Sequence, residues 1–131
     1  MADAEVGRRG EELVLRRELA RVAARGVPAE RVVWSADTNP AGDHDIKSVA
    51  DDGGDLWIEV KATNGREGRF TWSRSEFNLA MRERQRYVLC RVYLANTVRP
   101  VIRRIQDPIA HLLAGEMRLE LNNLAAEVEP L

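Results

Sequence analysis

The stretch HDIKSVADDGGDLWIEVKAT, residues 44–63, decides how the rest of the chain is read. Two runs that suit extended backbone, His44–Ala50 and Leu56–Thr63, flank Asp51-Asp52-Gly53-Gly54, a turn-forming tetrapeptide, so the segment predicts a β-hairpin. Strand side chains alternate between faces. Leu56, Ile58, Val60 and Ala62 therefore share one wholly apolar face, which must look into a core, while Glu59 and Lys61 share the other, with Trp57 an apolar intruder on it. Thirteen residues lie between Asp45 and Glu59, and a hairpin closes that interval so that the two carboxylates lie alongside each other. Two converging carboxylates are what Mg²⁺ or Mn²⁺ asks of a protein, with water and phosphate oxygens filling the remaining positions. A lysine on the same face can lower the pKa of an attacking water or stabilise charge on a phosphorane-like transition state. The plainer reading is an amphipathic strand pair carrying a cross-strand Lys–carboxylate contact.

Working outward, Gly7–Arg25 reads as a helix, with Leu15, Leu19, Val22 and Ala23 on one side and Arg8, Arg9, Arg16, Arg17 and Arg21 on the other. Gly26 and Pro28 stop it. Arg31–Ala36 predicts a short strand ended by the Asn39-Pro40-Ala41-Gly42 turn. After the hairpin, Asn64-Gly65 and Gly68 mark a turn and Phe70-Thr71-Trp72 a short extended piece. Ser73 and Glu76 have capping-box spacing and open a helix that ends near Gln85. Tyr87–Leu94 is the most apolar strand and is expected to be central. Val98–Ile105 is expected at an edge, because Pro100 has no N–H to give a ladder. Pro108–Ala114 reads as a short helix, Met117–Leu121 as a last strand, and Ala125–Leu131 as a frayed end. The order is that of a mixed α/β domain.

The 131 residues suit one domain, with a core near residues 7–105. No run approaches the ~20 apolar residues of a membrane span. The first 25 residues hold six arginines and no apolar stretch of the secretory kind, so a cytoplasmic protein is expected. One cysteine, Cys90, excludes an internal disulfide framework, and with His44 and His111 it cannot build the usual structural zinc site. Cys90, inside a hydrophobic strand, reads as core. The net charge of −1 hides an asymmetry: residues 66–104 carry ten arginines against three acids. Such a basic middle suits phosphate contact or a solvated face. Eighteen of the 20 cations are arginine, which singles out Lys47 and Lys61 as places where a compact ammonium is wanted.

The aspartate followed, after a hairpin, by Glu59-x-Lys61 resembles the PD-(D/E)XK nuclease superfamily. More narrowly, Gly10-Glu11, Asp45-Ile46, Ile58-Glu59-Val60-Lys61-Ala62-Thr63, Phe70…Ser73…Glu76 and Tyr87 are similar to the C-terminal domain family of the plant NO VEIN protein, a restriction-endonuclease-like group. The resemblance covers about residues 7–105. It implies an α/β, restriction-endonuclease-like mixed sheet with the central hairpin, flanked by the first helix and the Ser73–Gln85 helix. It implies that Asp45, Glu59 and the Val60 carbonyl bind Mg²⁺ or Mn²⁺, that Lys61 positions or activates water, and that Glu11, or its neighbour Glu12, supports the site. His44 stands where the superfamily pattern has proline. Glu76 and Tyr87 match the narrower family without an assigned role.

The implied activity is metal-dependent phosphodiester hydrolysis, in DNA, in a restriction or phage-defence setting. Arg69, Arg74, Arg82 and Arg86 are candidate phosphate contacts that fix register without reading bases. A chain this short leaves target choice to a homodimer or a larger partner. The rival reading is a non-catalytic nucleic-acid- or protein-binding module on the same fold, and a third is a small regulatory domain. Asp51, Asp52 and Asp55 lack calcium-loop spacing, Gly65-x-x-Gly68 lacks the ending of a phosphate loop, and nothing orients His44, His111 and Ser48 as a triad.

Overall fold

The structure, a computed structural model, describes residues 3–121 and 125–130. The first helix, α1, spans Asp3–Ala23 and starts four residues earlier than its apolar spacing predicts, with Asp3 and Glu5 in the first turn and Arg21 in the last. Those charges complement the helix dipole. Its buried spine is Val6, Gly10, Val14, Glu18 and Val22, one residue in every four. Leu15 and Leu19 pack at the margin of that core, and Ala23 is exposed. Gly26, at φ 75°, turns the chain so that the Val27 N–H donates back to the Val22 carbonyl at 3.0 Å.

The strand predicted at Arg31–Ala36 is reduced to one bridging residue, Val33, which exchanges backbone hydrogen bonds of 2.8 and 2.9 Å with Lys47. A 3₁₀ turn at Ala29–Arg31 precedes it and a four-residue helix, α2 (Ser35–Thr38), follows. The chain leaves the sheet edge there because Trp34 donates its indole N–H to Glu11 and the Ser35 hydroxyl hydrogen-bonds His44.

Strands β1 (Ile46–Val49), β2 (Asp55–Ala62), β3 (Tyr87–Tyr93) and β4 (Val101–Gln106) form one sheet in the order β1-β2-β3-β4. β1 and β2 are the antiparallel hairpin, β2 and β3 are parallel, and β3 and β4 are antiparallel. The fold is thus mixed α/β. A parallel pair needs a crossover, and residues 63–86 supply it with α3 (Arg74–Glu83), whose Ser73/Glu76 capping box is fully formed. β3 lies inside the sheet and β4 at its edge, as their composition requires. β4 begins just after Pro100, so the proline removes no ladder bond.

Both faces of the sheet are covered. On one, α1 packs over Leu56, Ile58 and Val60 of β2 and Val88, Cys90 and Val92 of β3. On the other, α3 and α4 (Pro108–Leu113) pack over Tyr87, Leu89 and Trp57. This corrects the expectation of a single core face. Trp57 belongs to the second core and gives its indole N–H to Glu83 at 2.9 Å. Inner strands of an α/β sheet bury both faces, and the immediate consequence is that Glu59 is only 2 % exposed. Cys90 is core, and burial pushes its thiol up to about 12. Residues 117–121 form no strand and 125–130 have no regular structure, while Leu131 lies outside the described residues.

Helix α1 reaches the sheet closely at Gly10, where an added Cβ would meet the Cβ of Ala62 at 2.5 Å. Gly10→Ala should therefore destabilise the protein by about 1–3 kcal/mol through overpacking. Gly7→Ala, with nothing within 4 Å of its added Cβ, should instead stabilise by about 0.5–1 kcal/mol through helix propensity. Urea denaturation of both variants checks the opposite signs.

Candidate active site

Asp45 sits one residue before β1 and continues its register, so it stands across from Glu59. There its Oδ2 accepts the Val60 N–H at 2.7 Å, a side chain taking over the ladder where the strand has ended. The N–H and C=O of one strand residue leave by the same edge, so the Val60 carbonyl also leaves on the Asp45 side. Two carboxylates and one backbone carbonyl are thereby drawn together by the hairpin register.

Lys61 follows on the Glu59 face. Its Nζ lies 3.7 Å from Glu59 Oε1 and donates to Glu76 Oε1 at 2.8 Å. That same Glu76 oxygen accepts the Ser73 N–H at 2.9 Å, completing the capping box of α3. One carboxylate thus anchors a helix start and holds the lysine. Glu59 Oε2 is buried with no hydrogen-bond partner. Glu11 reaches the same region from α1, with its Oε1 accepting the Trp34 indole N–H at 2.8 Å, whereas Glu12 turns outward to Arg8 and Arg9. Glu11 is therefore the α1 carboxylate that faces the site.

Electrostatics separate these acids. Glu59 is pushed up to about 11, first by burial and then by the negative charge of Asp45 and the contact with Glu76. Burial also raises Asp45, against the opposing Val60 hydrogen bond, and raises Glu11, with Asp45 adding to the effect. Glu76 moves the other way: its burial is outweighed by hydrogen bonds from Glu59, Lys61 and Ser73. Burial thus favours the neutral form of Glu59, and hydrogen bonds favour the ionised form of Glu76. Strong shifts of this kind concentrate at functional sites.

Among the described residues, no group of three or more His, Cys, Asp or Glu side chains could hold a metal ion by themselves. The donors that fit a hard divalent cation here are two carboxylates and a carbonyl. Glu59 Oε2, buried without a hydrogen-bond partner, is the oxygen that such a cation would meet, in exchange for the proton that burial favours on Glu59.

Arg91 is a residue the sequence reading passed over. It lies beside Lys61 in the β2–β3 register and is 2 % exposed. Its guanidinium donates to the Lys61 carbonyl at 2.6 Å and to the Glu67 carbonyl at 2.8 Å, between the rings of Phe70 and Tyr93. The available signal was a lone arginine in the most apolar strand. Tyr87 is buried in the second core, where its hydroxyl accepts the Trp72 indole N–H.

The four arginines proposed for phosphate contact do not converge. Arg69 lines a cavity of about 540 Å³ together with Lys61 and Arg91, and it pairs with Glu120 at 2.6 Å. Arg74 is exposed in the first turn of α3, next to Ser73. Arg82, near the other end of α3, lies 3.8 Å from Glu83. Arg86 clips the hairpin loop through Asp52 at 2.6 Å, at the end of β2 remote from Lys61. His44 contacts Asp43 and Ser35, and His111 lies 3.5 Å from Glu116, so no triad forms.

Fold and site together define an α/β sheet domain with a buried acid–lysine cluster at its hairpin. The chain belongs to the family described as Protein NO VEIN, C-terminal, whose model matches residues 10–105. The match begins at Gly10, spans every residue of the cluster, and ends one residue short of the end of β4. No curated protein and no solved structure matches the chain.

An acid whose folded pKa lies above its unfolded value of 4.5 holds more protons in the folded state, so stability falls as pH rises from there until both states are ionised near 11. Without added metal, the protein should lose stability between about pH 5 and about pH 9. Glu59→Gln should flatten that slope and be more stable at the upper pH by about 1–3 kcal/mol. Urea titrations in EDTA measure both; an unchanged slope in the variant would remove the proton from Glu59.

Proposed function

We propose that the protein is a metal-dependent nuclease of the PD-(D/E)XK, restriction-endonuclease-like type, hydrolysing phosphodiester bonds in DNA. The observation that carries this reading is Glu59, a buried carboxylate opposite Asp45 with one oxygen unpartnered and a lysine on its face. Folding alone gains nothing from that arrangement, because an apolar residue at position 59 would pack into the second core without any desolvation cost. Asp45, Glu59 and the Val60 carbonyl would hold Mg²⁺ or Mn²⁺. When bound, such an ion supplies Lewis-acid polarisation of a phosphoryl oxygen and a more acidic water.

The chain's own side chains do the rest. Lys61, fixed by Glu76, places an ammonium where negative charge develops on phosphorus-bound oxygen and orients the attacking water. Glu11, held by Trp34 and close enough to Asp45 for their charges to interact, would support the ion's waters. Arg69 and Arg74 are the phosphate contacts best placed near Lys61 and Ser73. Partner-directed or dimeric action in restriction or phage defence, inside the cytoplasm, completes the proposal. A buried carboxylate with an unpartnered oxygen beside a lysine favours the catalytic reading over a non-catalytic binding module.

The test is cleavage of supercoiled plasmid, linear duplex, single-stranded DNA and RNA with Mg²⁺ or Mn²⁺. Lys61→Ala and Asp45→Ala should each reduce the rate by at least about 10²-fold, the usual cost of losing a group that stabilises transition-state charge. Cutting that survives both substitutions would overturn the assignment.

A further inference from the structure

Between residues 68–77 and residues 112–121 runs a groove of about 720 Å³. Its floor is apolar and aromatic: Phe70, Trp72 and Phe77 meet edge to face, with Leu112 and Met117 opposite. Trp72 directs its indole N–H inward to the Tyr87 hydroxyl at 3.2 Å, which fixes the ring. The groove's lining also carries Arg74 and Arg118, with Arg69 paired to the one acid, Glu120, at 2.6 Å. Leu119 and Leu121 border it at 44 % and 59 % exposure, leaving apolar surface for a ligand to cover.

An aromatic floor under a cationic rim complements a ligand with a flat apolar face and negative charge, which is the chemistry of a nucleotide. The groove also joins the site above. Arg69, Phe70 and Thr71 line both this groove and the cavity that Lys61 lines. Ser73, on the groove wall, donates its N–H to the Glu76 oxygen that holds Lys61.

We propose that this groove is a nucleobase pocket: it takes one unstacked base of a single-stranded or locally melted strand while the adjoining phosphodiester lies at Lys61. This rests on the nuclease reading and names its substrate as a strand with accessible base faces. A base inside a duplex is stacked and paired and cannot enter without being extruded. Sequence preference should be weak, because every base offers a π-face.

The test uses the whole chain in EDTA, with three fluorescent probes of equal length: a single-stranded oligonucleotide, its duplex, and an abasic strand of equal charge. Anisotropy should show the single strand binding at least about tenfold more tightly than the abasic strand. Leu119→Asp, checked for folding by circular dichroism, should abolish the difference. Equal affinity of wild type for the normal and abasic strands, or preference for the duplex, overturns the pocket whatever the variant does. Self-association relieved by Leu119→Asp, without oligonucleotide binding, overturns it in favour of a contact between copies. Cleavage in the plasmid assay together with equal binding of the normal and abasic strands sinks the pocket alone, and base-dependent binding with no cleavage sinks the nuclease reading alone.

Discussion

A carboxyl group buried in the middle of a sheet that is covered on both faces is the constraint around which this structure is arranged. Glu59 cannot reach bulk water from an inner strand, so its surroundings must answer for its charge. Asp45, from the preceding strand edge, and Glu76, from the crossover helix, add to burial in favouring its neutral form, while Lys61, two residues along, opposes them. The parallel pairing of β2 and β3 is what permits this. It forces a crossover, and the crossover brings the first turn of α3 against the Glu59 face. A simple antiparallel meander would have left that face to solvent and Glu59 ionised in the ordinary range.

Arginine chemistry looks different in space from its appearance along the chain. The ten arginines of residues 66–104 suggest one basic surface, yet several are committed to holding the fold. Arg84 pairs with Asp107, joining two residues that both adopt φ 49°. Arg86 fastens the hairpin loop, Arg91 is buried beside Lys61, and Arg104 approaches the buried Glu18 of α1 at 3.8 Å. Each of these compensates an acid or a carbonyl that lies far away in sequence. The cations left near the cluster are few, which argues against a broad electrostatic footprint.

Elements whose cause is local were legible in the sequence: the hairpin from its Asp-Asp-Gly-Gly turn, α3 from Ser73 and Glu76, the edge position of β4 from Pro100. The pairing of Asp45 with Glu59 followed from hairpin register alone. What the sequence hid depends on long-range packing. Alternation along β2 marks Glu59 as facing away from the apolar core, and only the docking of α3 and α4 turns that second face into another core with Trp57 inside it. The segment predicted as a strand at 31–36 meets the sheet edge only at Val33, before Trp34 and Ser35 draw the chain away, and 117–121 forms no strand, so propensity gave way to tertiary context. Arg91 was invisible as a site neighbour because its relation to Lys61 exists only through the β2–β3 register.

The residues that support the cluster are also residues the fold needs. Glu76 caps α3 and holds Lys61; Arg91 binds the Lys61 carbonyl and also closes the 64–73 loop through Glu67; Trp34 turns the chain off the sheet edge and orients Glu11. A domain of this size has one sheet on which to build, and double use lets a small set of side chains position a charged cluster. It also couples the two tasks. Loss of the Glu76 carboxylate would remove the hydrogen-bond partner of Lys61 and one half of the capping box at once, so the lysine's position depends on the crossover helix. The groove beyond Ser73 lies on the same helix start. A ligand that presses on Trp72 and Phe77 therefore bears on the element that sets the position of Lys61, and occupancy of the groove and readiness of the lysine become one mechanical question.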